Sequence, residues 1–152
     1  MTDRRRFLTA SFLAATALTR LPRLRRLVGG PQGRPRPTPA QLLWQREELA
    51  MFVHFGMNTF TDREWGDGTE PPSQFLPTAL DCRQWARTAR DAGFRAMVLT
   101  ATHHDGFCLW PTRSTEHSVA SSPWRDGQGD VVREFVDACR AEGLRPGLYC
   151  SP

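Results

Sequence analysis

Three apolar runs, separated by longer polar and amphipathic stretches, set the pattern of this chain. The runs cover residues 49–55, 96–100 and 144–150, and the first is almost continuously apolar. The pattern therefore predicts three strands. The near-continuous apolar character of the first run is typical of a strand that is buried on both faces.

Two stretches between these runs have the spacing of amphipathic helices. The first begins at Asp81, which has the form of a capping box with Gln84, and it ends at Gly93. The second begins at Asp130 and ends at Gly143. The helical apolar positions are Trp85, Ala86, Ala89 and Ala92 in the first, and Val131, Val132, Phe135, Val136 and Cys139 in the second.

The order strand, helix, strand, helix, strand predicts a parallel α/β sheet with right-handed crossovers. A doubly wound nucleotide-binding fold normally has a Gly-rich turn after its first strand, and residues 54–58 lack one. Long polar loops after both early strands favour a (β/α)8 TIM barrel, which needs about 250 residues. We therefore expect the N-terminal portion of such a barrel, with about three of the eight strands.

Residues 1–28 have the features of a twin-arginine-type signal segment. Arg4 and Arg5 are followed by one residue, by Phe-Leu and then by a short apolar stretch that cannot span a bilayer. The pattern predicts export by the twin-arginine route to the periplasm or the extracellular space, without a stable membrane span. The alternative is a basic disordered tail, or an amphipathic helix lying on anionic lipid.

A Pro- and Gly-rich stretch over residues 29–41 is predicted to be a linker without regular structure. The folded body is therefore expected to cover residues 42–152. It is predicted to begin with a short helix over residues 44–48, before the first strand.

The positive charge of the chain is concentrated near its N-terminus. The formal net charge is +4, but residues 1–30 contain seven Arg and one acid. The remaining 122 residues contain 13 basic and 15 acidic side chains, and the basic ones form no stripe. This distribution argues against a nucleic-acid partner. The four cysteines are also too far apart to form a metal or redox motif.

Polar and aromatic side chains follow the first two predicted strands. His54 ends the first strand, and His103 and His104 follow the second. Because the carboxyl ends of parallel strands meet at one edge, these side chains are expected to lie together. Imidazole can both donate and accept, as a sugar hydroxyl does, and indole rings offer flat faces to sugar C–H groups. The sequence predicts a carbohydrate pocket that also draws on Glu64, Trp65, Asp67, Asp105 and Trp110.

Two other interpretations of the histidines remain open. A metal site would require His54, His103, His104 and an acid to converge, but the His-x-His and His-Glu-x-x-His spacings are absent. No metal or cofactor is therefore predicted. Alternatively, each histidine simply satisfies local hydrogen bonds, and this structural role is assigned to His117, which stands alone in a polar loop.

Four motifs in this order and spacing resemble the α-L-fucosidases of glycoside hydrolase family 29. The motifs occupy residues 52–60, 64–66, 103–107 and 129–132, so the resemblance extends over nearly all of the body. Residues 62–68 and 108–111 are most similar to the branch that acts on branched α-1,3/1,4-fucosides. The resemblance thus implies the N-terminal part of a glycoside hydrolase barrel.

The resemblance also implies roles for individual residues. A fucose subsite would be lined by His54, Glu64, Trp65, His103 and His104. In the family the nucleophile is an aspartate at the end of the fourth strand, beyond Pro152. Glu64 is a candidate for the acid/base role in such a site, but it is interpreted first as a substrate-binding residue. No catalytic residue is therefore expected within these 152 residues.

The implied function is retaining hydrolysis that removes terminal α-L-fucose from glycoconjugates or oligosaccharides. The implied partner is an α-L-fucosylated glycan, and no cofactor is implied. The segment on its own would lack the nucleophile and be inactive. A metal-dependent TIM-barrel hydrolase and a non-catalytic carbohydrate-binding remnant are the alternatives.

Overall fold

The computed structural model describes residues 34–151, so the predicted signal segment over residues 1–28 lies outside the described residues. Thr38–Pro152 form one compact unit. Its helices and strands, in chain order, are α1 (Pro39–Glu47), β1 (Ala50–Val53), α2 (Asn58–Thr61), α3 (Cys82–Asp91), β2 (Ala96–Thr102), α4 (Val131–Ala141) and β3 (Arg145–Cys150). Between residues 34 and 151, no helix combines the length and hydrophobicity that a bilayer crossing requires.

The three strands form one parallel sheet in the order β1-β2-β3, as predicted. The register pairs Val53 with Leu99 and Leu99 with Leu148. β1 is shorter than the apolar run that predicted it, because the chain leaves the sheet after Val53. Beyond that point the Thr100 hydroxyl contacts the backbone of residue Phe55, accepting from its N–H at 3.1 Å and donating to its carbonyl at 2.7 Å.

The two long helices begin at the predicted N-caps. Asp81 accepts from the backbone N–H of Gln84 at 2.9 Å, and Asp130 accepts from that of Arg133 at 2.8 Å. The prediction of a full capping box at Asp81 is wrong in its second half. The Gln84 side chain does not return to the backbone of Asp81 but donates to Thr88 in the next turn at 3.1 Å. The cap therefore depends on the aspartate alone.

The N-terminal helix α1 begins earlier than the sequence pattern indicated. Thr38 is its N-cap, Pro39 occupies its first position, and Thr38 and Gln41 form a reciprocal capping box. The expectation that residues 29–41 lack regular structure is therefore wrong at 39–41. Pro at the first helical position loses no hydrogen bond, because that N–H has no partner within a helix.

The long helices and β2 share one buried core. Met97, Leu99 and Ala101 of β2 are buried, and the first two belong to the same core cluster as Ala86 and Phe135 of the helices. The prediction that the first strand is buried on both faces is wrong, because every residue of β1 is half-buried or exposed. Phe52, for example, is 54% exposed. β2 is mostly buried, whereas β3 is half-buried or exposed throughout.

The core continues into an aromatic cluster that packs the loops that follow β1 and β2. Phe75 is its centre and is completely buried. The ring centroids of Phe55, Phe60, Phe107 and Trp124 lie 5.1 to 5.9 Å from that of Phe75. Because both loops contribute rings, the cluster holds them against each other at the C-terminal edge of the sheet.

Candidate functional site

Three histidines meet at the C-terminal edge of the sheet. The ring of His103 lies 4.4 Å from that of His54 and 4.7 Å from that of His104, measured between centroids. A turn follows directly, in which Gly106 N–H donates to the carbonyl of His103 at 2.9 Å. This turn lets two adjacent imidazoles lie on one side of the chain, which an extended strand does not permit.

His103 is the innermost of the three imidazoles. Burial, together with the neighbouring His54 and His104, lowers the pKa of His103, although Asp105 and the backbone of Glu64 oppose the shift. Its Nδ1 atom is buried and has no hydrogen-bond partner within the described part of the chain. The lowered pKa favours the neutral ring, in which one nitrogen donates and the other accepts.

The other two imidazoles have polar neighbours that sequence reasoning missed. Nδ1 of His104 lies 3.3 Å from the Ser151 hydroxyl, and Nε2 of His54 lies 3.5 Å from the side-chain amide of Asn58. The side-chain oxygen Oδ1 of Asn58 is buried without a partner among the described residues. Both residues could have been identified from their positions in the sequence, because Asn58 comes four residues after His54 and Ser151 directly follows β3.

The Glu64–Trp65 loop forms one wall of the site. The Trp65 ring lies 5.6 Å from the His104 ring at an interplanar angle of 55°, and Trp65 is 74% exposed. Glu64 is also exposed, and in the described range its carboxylate takes part in no ion pair or hydrogen bond. The edge thus offers three imidazoles, an indole face and an uncommitted carboxylate.

Comparison with known proteins identifies the family. The family model described as Alpha-L-fucosidase matches residues 64–152. The chain belongs to the alpha-L-fucosidase family. Its relatives are named alpha-L-fucosidases, so this is a family of enzymes.

The curated relatives are much longer than this chain. Alpha-L-fucosidase 1 of Arabidopsis thaliana is 55% identical over 118 residues, which are 78% of this chain and 23% of the relative. The chain therefore spans about a quarter of the length of the curated relatives it matches.

Solved structures of the family also match. A glycoside hydrolase 29 family member from an unknown rumen bacterium is 56% identical with a TM-score of 0.76, covering 78% of this chain and 21% of its own. A Ruminococcus gnavus GH29 fucosidase in complex with fucose is 41% identical with a TM-score of 0.71, covering 76% and 24%. The three-stranded α/β unit is therefore similar to part of these GH29 structures.

In this fucosidase-family chain, two of the side chains that the sequence assigned to the pocket do not face the histidine cluster. Asp105 is buried and accepts from the backbone N–H of Phe107 at 2.7 Å, so it closes a turn instead of facing the cluster. The Asp67 carboxylate accepts from the side chain and backbone of Thr69, and these bonds lower its pKa. Trp110 borders a groove beside α4. The assignments of Asp105 and Trp110 to the pocket are therefore wrong, whereas that of Asp67 stays a prediction.

His117 lies apart from the site, and the interpretation of the histidines as a metal site finds no support in the described residues. His117 packs edge-on against Phe107 at 5.2 Å and does not join the histidine cluster. From residue 34 to residue 151, no three His, Cys, Asp or Glu side chains are arranged to hold a metal ion.

Proposed function

We propose that this chain is the N-terminal part of a (β/α)8 barrel in an α-L-fucosidase that removes terminal α-L-fucose from glycoconjugates or oligosaccharides. The observation that carries the proposal is the meeting of His54, His103, His104 and Trp65 at the C-terminal edge of a parallel sheet. In (β/α)8 enzymes this edge holds the active site. Membership of the family supplies the substrate.

The proposed fucose subsite consists of His54, Glu64, Trp65, His103 and His104. The lowered pKa of His103 favours its neutral ring, which can either donate to or accept from a sugar hydroxyl. The exposed indole of Trp65 offers its face to the apolar side of the ring. The Glu64 carboxylate is free to accept from a hydroxyl.

The proposed reaction retains the anomeric configuration, which requires two carboxyl groups about 5 Å apart on either side of the glycosidic bond. Glu70 and Asp105 do not meet this need, because both are buried and accept from backbone N–H groups. Glu64 is uncommitted, but we assign it to substrate binding. The nucleophile is therefore proposed to lie on a later strand of a longer polypeptide, which we call the natural-length enzyme.

A second feature supports a longer barrel. Within residues 34–151, β1 and β3 are the edges of the three-stranded sheet, and each pairs along one side only. In a closed barrel such edges pair with further strands. The likeness of residues 62–68 and 108–111 to the α-1,3/1,4-fucosidase branch extends the proposal to branched fucosides.

Hydrolysis of an aryl α-L-fucoside tests the proposal. The natural-length enzyme is expected to turn over this substrate in the presence of a chelator, and the isolated 152-residue chain is expected to be inactive because it lacks the nucleophile. Loss of activity on chelation would favour a metal-dependent hydrolase, and binding of fucose without turnover would favour a non-catalytic protein. Turnover by the isolated chain that disappears in Glu64→Gln would contradict our placement of the nucleophile.

Export is proposed for the same protein, with residues 1–28 as the twin-arginine signal and the periplasm or the extracellular space as the destination. Replacing both Arg4 and Arg5 with Lys is expected to leave a fused reporter in the cytoplasm, because the arginine pair is the recognised element. Fractionation of cells that express the reporter measures this. Replacing Arg25 and Arg26 with Lys is the matched control, and unchanged export of the first variant would restore the basic-tail interpretation.

A further inference from the structure

A buried acid that the sequence did not single out, Glu70, lies behind the Glu64–Trp65 loop. It is 7% exposed, and no ion pair to it occurs within residues 34–151. One carboxylate oxygen accepts from the backbone N–H of Asp67 at 3.1 Å, and the other accepts from that of Gly68 at 3.0 Å. A buried carboxylate must be compensated, and here the compensation comes from the backbone of the loop.

Gly66 lies at the point where this loop meets the turn that follows the histidine pair. A β-carbon at position 66 would overlap the Glu70 carboxylate and would lie 2.7 Å from Cβ of Asp105. Both acids therefore press against the same stretch of backbone, which only glycine allows. Asp105 in turn closes the turn after His104 through its bond to the N–H of Phe107.

The side-chain packing of Trp65 does not by itself explain its position. At 74% exposure its indole ring has few contacts, yet it lies 5.6 Å from the ring of His104. A side chain so exposed is oriented mainly by the backbone that carries it. That backbone is fixed two and three residues later by the two hydrogen bonds to Glu70.

We infer that Glu70 is a positioning residue: it fixes the Glu64–Trp65 loop so that the indole of Trp65 is held beside the imidazole of His104. The inference rests on the proposed function, because it gives the Trp65 wall a role in binding fucose. It assigns no contact with substrate to Glu70 itself. It predicts that loss of Glu70 weakens sugar binding only through Trp65.

A double-mutant cycle on the natural-length enzyme tests this inference. Glu70→Gln replaces one accepting oxygen with an NH₂ group, so one backbone N–H loses its partner. With Trp65 present, the KM for an aryl α-L-fucoside and the Kd for L-fucose are expected to rise about tenfold, the loss typical of one hydrogen bond to a charged group. In a Trp65→Ala background the same change is expected to alter neither value appreciably.

Controls separate the possible outcomes. Glu116→Gln removes an exposed acid from the loop after β2, and it is expected to leave KM and Kd unchanged. If Glu70→Gln does not fold, Glu70→Asp replaces it in the double-mutant cycle with Trp65→Ala. This variant keeps the charge but shortens the side chain by one methylene, and the same outcomes are expected. Equal effects with and without Trp65, an effect on kcat alone, or no effect would each overturn the inference. Failure of the wild-type enzyme to bind L-fucose would instead overturn the proposed function.

Discussion

The natural-length enzyme with His104 replaced by Ala is expected to hydrolyse an aryl α-L-fucoside with kcat lowered by roughly 10²- to 10³-fold. The same is expected of His103→Ala. A hydrogen bond to a sugar hydroxyl that strengthens in the transition state contributes to the rate and not merely to binding. His103 is the least exposed of the three imidazoles, and its Nδ1 has no hydrogen-bond partner among the described residues.

Steady-state kinetics of purified variants measure this effect. His117→Ala is the matched control, because His117 packs against Phe107 away from the cluster, and its kcat is expected to match that of the wild type. Burial and the neighbouring histidines lower the pKa of His103, so its contribution is expected to persist until the pH falls below this lowered pKa. Full activity in both His103→Ala and His104→Ala would contradict the proposed subsite.

Replacing Phe75 with Ala is expected to lower the free energy of unfolding by about 3–5 kcal/mol. Phe75 is completely buried, and its ring lies within 5.9 Å of the rings of Phe55, Phe60, Phe107 and Trp124. The variant loses both the buried ring and the packing of two loops against each other. We therefore expect fucoside turnover at moderate temperature to fall together with stability.

Urea denaturation of the natural-length enzyme measures the loss. Leu76→Ala is a matched control, because the neighbouring Leu76 is 49% exposed and its truncation removes little buried area. Equal midpoints for the Phe75 and Leu76 variants would show that the aromatic cluster does not stabilise the loops.

Most of the helices and strands could be predicted from the spacing of apolar residues and from the capping residues. Asp81 and Asp130 were identified as N-caps because a cap depends on contacts within one turn. The end of β1 was not predicted, because it depends on the hydroxyl of Thr100, 45 residues away from its partner Phe55. The apolar run simply continues past the point where the chain leaves the sheet.

The candidate site shows the same division between local and distant contacts. The histidines were identified because strand ends can be located from the apolar pattern, and parallel strands bring such ends together. Trp65 and Trp110 follow strands in similar contexts, yet only the first lies beside a histidine. Sequence also could not distinguish the inward Asp105 and Glu70 from ligand-facing acids, because the direction of a loop carboxylate depends on which backbone N–H groups surround it.

β3 links two regions with different roles. At its start, Arg145 forms an ion pair with Glu47 at the end of α1, and just beyond its end Ser151 contacts His104. Six residues of extended chain separate these contacts by about 20 Å. Directed evolution could therefore treat the two ends as independent: libraries built around Glu47 and Arg145 would explore heat tolerance, and libraries around Ser151 would explore selectivity between sugars.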